Sequence, residues 1–298
     1  ISEANIAGMA VAIVSGDSII FTQGYGYSDI QTKEPFTPNT VINIASISKT
    51  FVGVALMNLV ENGLISLDED VNTFLPFKVQ NPYLPESIIT PRHLMSHSSG
   101  IQDNQKVYLP SYHYGTDSPI PLGEFLADYL SPDGTHYSKK NFTKSNPGGN
   151  FVYSNIGAGL AGYIVERVSG KPLNVFTRDV IFKPLKMNNT CWFLSEMDRS
   201  KHTRLYESEE KHTQLKNVDL YGLTTYPDGG VRTTVTDLSY YLLCIMNKGL
   251  YKDMRILKEE TVIDMLTPDY IHSYTKSWGI GNQIGHGGGD PGVSTGMF

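Results

Sequence analysis

The sequence predicts an α+β fold: an antiparallel sheet built from both chain ends, flanked by helices, with a mainly helical lobe inserted between them. Three observations lead there. Residues 8–15 and 18–24 are β-rich runs joined by Gly16-Asp17, the pattern of a hairpin. Residues 277–283 and 284–298 are again extended in character and carry many glycines. Between the two ends, residues 64–220 read mostly as helix and loop. Packing favours joining the ends in one sheet, with the helical segment as a second lobe and a cleft between them. The expected division is 1–60 with 225–298 for the sheet region and 61–224 for the helical lobe. The last strand would leave an open sheet edge, which natural folds avoid, so the natural chain is expected to continue.

Each element has a local reason. Residues 51–60 are apolar nearly all round, which predicts a buried helix, and Gly63 stands where a helix C-terminus wants glycine. Ser46 and Lys49 lie at its head. If the helix begins at Ser46, both side chains share one face, with Cβ atoms about 5–6 Å apart. Gly24 to Asp29 and Thr37 to Thr40 read as loops. Thr90-Pro91 is an N-cap with proline at the first helical position, opening a short helix through His97. Residues 102–150 form a polar stretch rich in Tyr, Pro and Gly, with a helical island at 122–130. It reads as surface loops able to wall a cleft with Tyr108, Tyr112 and Tyr114. Residues 155–168, closed by Gly170, and 172–181 are helices. Asp228-Gly229-Gly230 is a turn, Thr236-Asp237-Leu238 caps a helix through Met246, and residues 259–266 form another.

Composition narrows the function classes. The 298 residues are 40% hydrophobic and 18% charged, as in a soluble globular protein. The net charge is 24 − 30 = −6 with no long basic run, so a nucleic-acid role lacks its electrostatic footprint. No apolar segment approaches the ~18 residues of a membrane span. Cys191 and Cys244 lie far apart and match neither a disulfide framework nor a metal spacing. His93 and His97, four residues apart on an expected helix, have the spacing of a two-histidine metal site. No glutamate follows His93 in the metalloprotease manner and no third ligand lies nearby, so no metal is expected.

An amine one helical turn from a hydroxyl is what an activated serine nucleophile needs, but Ser-x-x-Lys alone is a common tetrapeptide. Two further segments change its weight. Tyr153-Ser154-Asn155 opens a helix in the middle of the chain, and His286-Gly287-Gly288-Gly289 sits in the late β-rich part. In this order, with Gly24-Tyr25-Gly26, residues 92–100, Pro184-Leu185-Lys186-Met187 and Gly229-Gly230, they form a pattern covering nearly the whole chain. The chain resembles the serine β-lactamase and penicillin-binding protein superfamily. It is similar in particular to the branch of class C β-lactamases, soluble D-alanyl-D-alanine carboxypeptidases, D-aminopeptidases and related esterases.

The resemblance implies a β-lactamase/DD-peptidase-like fold and a role for each motif. Ser46 would be acylated, and Lys49 or Tyr153 would take its proton; the sequence leaves both bases open. A free lysine titrates near 10.4, so a neutral amine at pH 7 asks for a shift of about 3 units. Asn155 would offer its amide to Lys49 and to the substrate. The oxyanion hole would be the backbone N–H of Ser46 with that of Gly289, and Gly287 and Gly288 would let a substrate lie along the strand. At position 286 most β-lactamases carry lysine. Histidine there resembles the soluble D-alanyl-D-alanine carboxypeptidases and the esterase-like members; at best partly charged at pH 7, it anchors a carboxylate less firmly, which speaks against efficient β-lactamase activity. The implied activity is that of a cofactor-free serine hydrolase acting as a D-alanyl-D-alanine carboxypeptidase. An esterase or D-aminopeptidase is the alternative, and a non-catalytic penicillin-binding or sensor protein is the competitor from another class. Its partners would be D-Ala-D-Ala peptides, β-lactams or esters, met in the periplasm or outside the cell.

Overall fold

The computed structural model describes residues 5–208 and 214–298. The N-terminal hairpin pairs β1 (Gly8–Ser15) with β2 (Ser18–Asp29), and β3 (Glu34–Pro35) adds to the far edge of β2. The turn runs through Gly16 at φ +60°, as expected. The strand β2 continues through Gly24-Tyr25-Gly26-Tyr27, where the sequence predicts a loop. Glycine is required there for close approach: a Cβ on Gly24 would stand 2.0 Å from the Phe36 carbonyl oxygen.

After β4 (Ile42–Asn43) comes α1 (Ser48–Glu61), the helix around which the core is assembled. It is buried on almost every side. Phe51 stacks on Tyr241 at 4.2 Å and meets Phe182 edge-on at 5.5 Å. The helix ends as its sequence dictates. Gly63 takes φ +69°, and the Gly63 and Leu64 N–H groups close back on the carbonyls of Val60 and Leu59.

The middle of the chain carries α2 (Pro91–Met95), α3 (Gln105–Tyr108), β5 (Tyr112–Tyr114), α4 (Leu122–Leu130), α5 (Asn155–Ser169) and α6 (Leu173–Thr177). A π-type turn, Arg178–Phe182, prolongs α6. Two short strands, β6 (Leu205–Ser208) and β7 (Leu215–Val218), pair with each other, and β8 (Tyr221–Leu223) pairs with β5. Residues 102–150 are thus more ordered than surface loops. Tyr108 lies on α3, and Tyr112 and Tyr114 lie on the paired strand β5. The helix α2 stops at Met95, two residues short of His97, whose φ of +52° turns the chain out of helical conformation.

The strand β9 (Arg232–Thr233) pairs with β4. Next, α7 (Val235–Met246) is capped by Thr234, whose hydroxyl accepts from the Asp237 N–H at 3.0 Å, two residues before the expected cap. A small ladder, β10 (Leu250–Tyr251) with β11 (Met254–Arg255), leads to α8 (Glu259–Leu266). The segment expected as a strand over 277–283 is extended only at β12 (Gly279–Ile280). Residues 284–298 are two strands, β13 (Ile284–Asp290) and β14 (Val293–Met297), turned by Pro291-Gly292 with Gly292 at φ +70°.

The fold is the expected mixture, with strand-rich ends around a helical middle. Among the described residues, the terminal strands hydrogen-bond as two sets, β1–β2–β3 and β12–β13–β14, rather than as one continuous ladder.

Candidate active site

The nucleophile candidate sits on a strained turn. Asn43 accepts the Ala45 N–H through its side chain at 2.6 Å, and Ala45 is fully buried at φ +48°. An alanine in the left-handed region costs about 1 kcal/mol or more, and it persists where surrounding contacts over-determine it. A single 3₁₀ turn, Ala45–Ile47, follows, so α1 itself starts at Ser48 rather than at Ser46. Ser46 is held on the turn that feeds the helix.

Lys49, 1% exposed, donates from Nζ to Ser46 Oγ at 2.9 Å and to the Asp228 carbonyl oxygen at 2.7 Å. The second bond is not visible in the sequence, where the family resemblance points to the Asn155 amide as a partner of Lys49. Asp228 reaches this place by backbone packing. A Cβ on Gly162 of α5 would lie 2.5 Å from Pro227, so the absence of a side chain lets the Tyr226–Asp228 turn press against the helix. The Asp228 carboxyl is 2% exposed, and the Tyr108 hydroxyl stands 3.3 Å from it. Burial pushes it up to about 7, against the lowering influence of Lys49.

Tyr153 presents its ring to Lys49, with Nζ 4.9 Å from the ring centroid. It immediately precedes the cap of α5. Ser154 accepts the Gly157 N–H at 2.9 Å, while the Asp103 carboxylate receives Ser154 Oγ and the N–H groups of Asn155 and Ile156 at 3.0–3.1 Å. A carboxylate at a helix N-terminus is favourable both by charge and by the donors it satisfies. Asn155 contributes its backbone to this cap. Ser154 and Asp103 do the capping.

His97 and Tyr274 carry the arrangement from Tyr153 to the strand. His97 packs on Tyr153 at 4.2 Å and on Tyr274 at 4.8 Å, and its Nδ1 accepts the Ser154 N–H at 3.2 Å. Complete burial, then Lys49 and His286, hold its pKa well below the usual histidine range, so the ring is neutral. His93 caps its own helix through Thr90, and no metal-binding group of three occurs among the described residues. The sequence pattern singles out His97 only through its spacing from His93 and within residues 92–100, and neither points to a place beside Tyr153.

His286 faces the same cluster. Its Nδ1 lies 2.6 Å from the Gly287 carbonyl oxygen, which only accepts, so Nδ1 carries the proton. Nε2 lies 2.8 Å from the Tyr274 hydroxyl. Burial, with Lys49 adding to it, lowers the pKa to about 4. The imidazole is therefore neutral at pH 7, and Nε2 accepts from Tyr274. Both ring nitrogens are used inside the protein.

The three glycines that follow divide the work. A Cβ on Gly288 would be 2.6 Å from the Ile44 carbonyl oxygen and 3.0 Å from Ala45 Cβ, so this glycine lets β13 lie against the turn before Ser46. Thr295 on β14 fastens the same point, donating to the Ile44 carbonyl oxygen at 2.9 Å. Among the described residues, Gly289 has nothing within 4 Å of a Cβ position, and Gly287 meets only the Thr295 carbonyl oxygen at 3.9 Å. Those two leave the strand open. Asp290, next along, accepts from the Tyr112 hydroxyl at 2.6 Å, and burial raises its pKa.

The family model described as Beta-lactamase matches residues 2–297. Protein flp of Staphylococcus aureus (strain MRSA252) is 25% identical over 286 residues, which cover 95% of this chain and 54% of that protein. Penicillin-binding protein 4* of Bacillus subtilis (strain 168) is 26% identical over 311 residues, covering 97% of this chain and 64% of that protein. The chain thus spans about half the length of the first of these relatives. The octameric penicillin-binding protein homologue from Pyrococcus abyssi superposes with a TM-score of 0.81 at 28% identity, over 97% of this chain and 65% of that one. No helix among the described residues is long and apolar enough to cross a membrane. Because that family model matches nearly the whole sequence, the chain belongs to the beta-lactamase family.

Proposed function

We propose that this chain is a serine hydrolase that forms an acyl-enzyme on Ser46. The observation that carries the reading is the 2.9 Å contact between Lys49 Nζ and Ser46 Oγ, with the Asp228 carbonyl fixing the amine from the other side. In its neutral form the amine keeps a donor on Asp228 and turns its lone pair to the serine hydroxyl. Lys49 then takes the proton as Ser46 Oγ bonds to the substrate carbonyl carbon. The oxyanion is received by the backbone N–H groups of Ser46 and Gly289, each such donor contributing about 3–4 kcal/mol in the transition state. The proton passes to the leaving group as the scissile bond breaks, and water repeats the cycle to release the acid. Tyr153 meets Lys49 with its ring, which favours Lys49 over Tyr153 as the base in the resting geometry.

The D-alanyl-D-alanine carboxypeptidase activity expected from the motifs requires a counter-charge for a terminal carboxylate. One observation favours the esterase or D-aminopeptidase alternative: His286 is neutral, with both nitrogens occupied. A fluorophosphonate probe and a fluorescent penicillin test the reading together. Covalent label on the wild type that is absent in Ser46→Ala is expected. Equal labelling of the two, or none, refutes it. Acylation without turnover would instead revive the non-catalytic penicillin-binding reading.

A further inference from the structure

The strand β13 has little of its own to fix it. The strand β12 pairs with it only at Ile284 and Gly285, so from His286 onward its ladder partner among the described residues is β14 alone. Gly287, Gly288 and Gly289 bring no side chains, and glycine backbone loses the most freedom on ordering. The strand must therefore be held from its flanks. Alternate residues share a face, which puts His286, Gly288 and Asp290 together on the side turned to the Ser46 turn. Asp290 is the first side chain after the glycines, and its partner comes from the middle of the chain.

The Tyr112 hydroxyl donates to Asp290 Oδ1 at 2.6 Å. On its other side the carboxylate rests over Gly229, where a Cβ would stand 3.2 Å from Oδ2. The Tyr112 ring is itself boxed in, with Tyr108 edge-on at 6.0 Å and Tyr221 at 5.4 Å. A second phenol reaches the same turn of chain. Tyr221 lies on β8, the partner of β5, and donates to the Pro291 carbonyl oxygen at 3.3 Å. Two paired strands thus grip successive residues, Asp290 and Pro291. Tyr108, on α3, stands at the carboxyl of Asp228, whose carbonyl oxygen holds Lys49. The segment 105–114 therefore braces the turn behind the amine and the strand that bears Gly289.

Resting on the acyl-enzyme reading above, we infer that Tyr112 is a positioning residue: through its bond to Asp290 it sets where the Gly289 N–H stands relative to Ser46. Gly289 and Asp290 are consecutive, so any shift of the carboxylate carries that N–H with it. Without the hydroxyl, a half-buried carboxyl oxygen lacks its donor and the strand end moves to find one. The oxyanion forms only as the acyl bond is made, so the loss falls on kcat rather than on KM.

The test is steady-state hydrolysis of an activated ester, with kcat expressed per site labelled to completion by a fluorophosphonate, so that unfolded protein does not count. Tyr112→Phe, which removes one oxygen atom, is expected to lower kcat by about tenfold or more, with KM changed by less than about threefold. Asp290→Asn keeps an acceptor for the Tyr112 hydroxyl and is expected to stay within about threefold of the wild type in kcat. Should Tyr112→Phe fold too poorly to be labelled, Asp290→Ala breaks the same bond from the strand side and is read in the same way. A Tyr112→Phe or Asp290→Ala enzyme with wild-type kcat, a loss confined to KM, or an Asp290→Asn enzyme as slow as Asp290→Ala overturns the inference and leaves the nucleophile standing. Wild-type protein that neither hydrolyses the ester nor takes label on Ser46 overturns the serine-hydrolase reading, and this inference with it.

Discussion

The imidazole of His97 packs on the ring of Tyr153 with centroids 4.2 Å apart, and that ring lies 4.9 Å from the Lys49 nitrogen. His97 therefore positions Tyr153 without touching Ser46. His97→Ala should lower kcat by about 10²-fold, the usual effect of a misplacement near 1 Å, with a smaller change in KM. His97→Phe keeps a ring against Tyr153 but loses the acceptor for the Ser154 N–H. It should cost about 1–3 kcal/mol of stability yet retain more kcat than His97→Ala. Steady-state kinetics with an activated ester, alongside urea unfolding, checks both. Equal kcat in the two variants would rule out the positioning role.

Adjacent glycines on β13 should respond in opposite ways. Gly288→Ala drives a Cβ into the Ile44 carbonyl and Ala45, both rigid, and should destabilise by roughly 1–3 kcal/mol while pushing the strand off Ser46. Gly289→Ala meets open space, so its melting temperature should stay near that of the wild type. Its new methyl points to the open side, and activity alone should fall. Thermal unfolding of the pair separates the two outcomes.

Asp228 carries a stability cost that depends on pH. Its folded pKa, about 7, lies above the unfolded value near 3.9, so the folded state holds a proton that the unfolded state gives up. Its favourable contribution is complete below the unfolded pKa and is lost as pH rises through 7. Asp228→Asn keeps an acceptor for Tyr108 and leaves the carbonyl bonded to Lys49 in place. The variant should gain on the order of 4 kcal/mol over the wild type at pH 8, an advantage that disappears by pH 4. An advantage that persists unchanged at pH 4 would contradict the assignment.

His202 works with the opposite sign. Burial lowers its pKa to about 4, despite the bond from Nδ1 to the Thr203 carbonyl, and Nε2 has no hydrogen-bond partner among the described residues. The unfolded imidazole binds its proton near 6.5, so stability is fully present above that value and is lost as pH falls toward 4. Replacing it by His202→Gln should flatten this slope. The wild type is expected to lose about 3 kcal/mol relative to the variant between pH 6.5 and pH 4, read from urea midpoints.

The readable parts of this protein were those whose cause is local. The burial of α1 is written in an apolar run, its stop in Gly63, the start of α2 in Thr90-Pro91, and the end of α5 in Gly170. Ser46 and Lys49 are three residues apart, so their contact needs only one turn of helical chain. The errors share a different cause. The strand character of Gly24 to Tyr27 and the need for glycine at 288 come from backbones that approach from elsewhere in the chain.

The sequence by itself determined the family and the contact between Ser46 and Lys49, because motif order and short-range spacing suffice for those. Only the tertiary structure decided what surrounds them. Asp228, 179 residues from Lys49, arrives through the Gly162–Pro227 contact and supplies the second hydrogen bond that orients the amine. His97, Tyr274 and His286 meet because three distant segments fold onto one wall, and that meeting keeps His286 neutral. Charge state and orientation depend on burial and on partners, and neither is a property of a residue's neighbours in sequence.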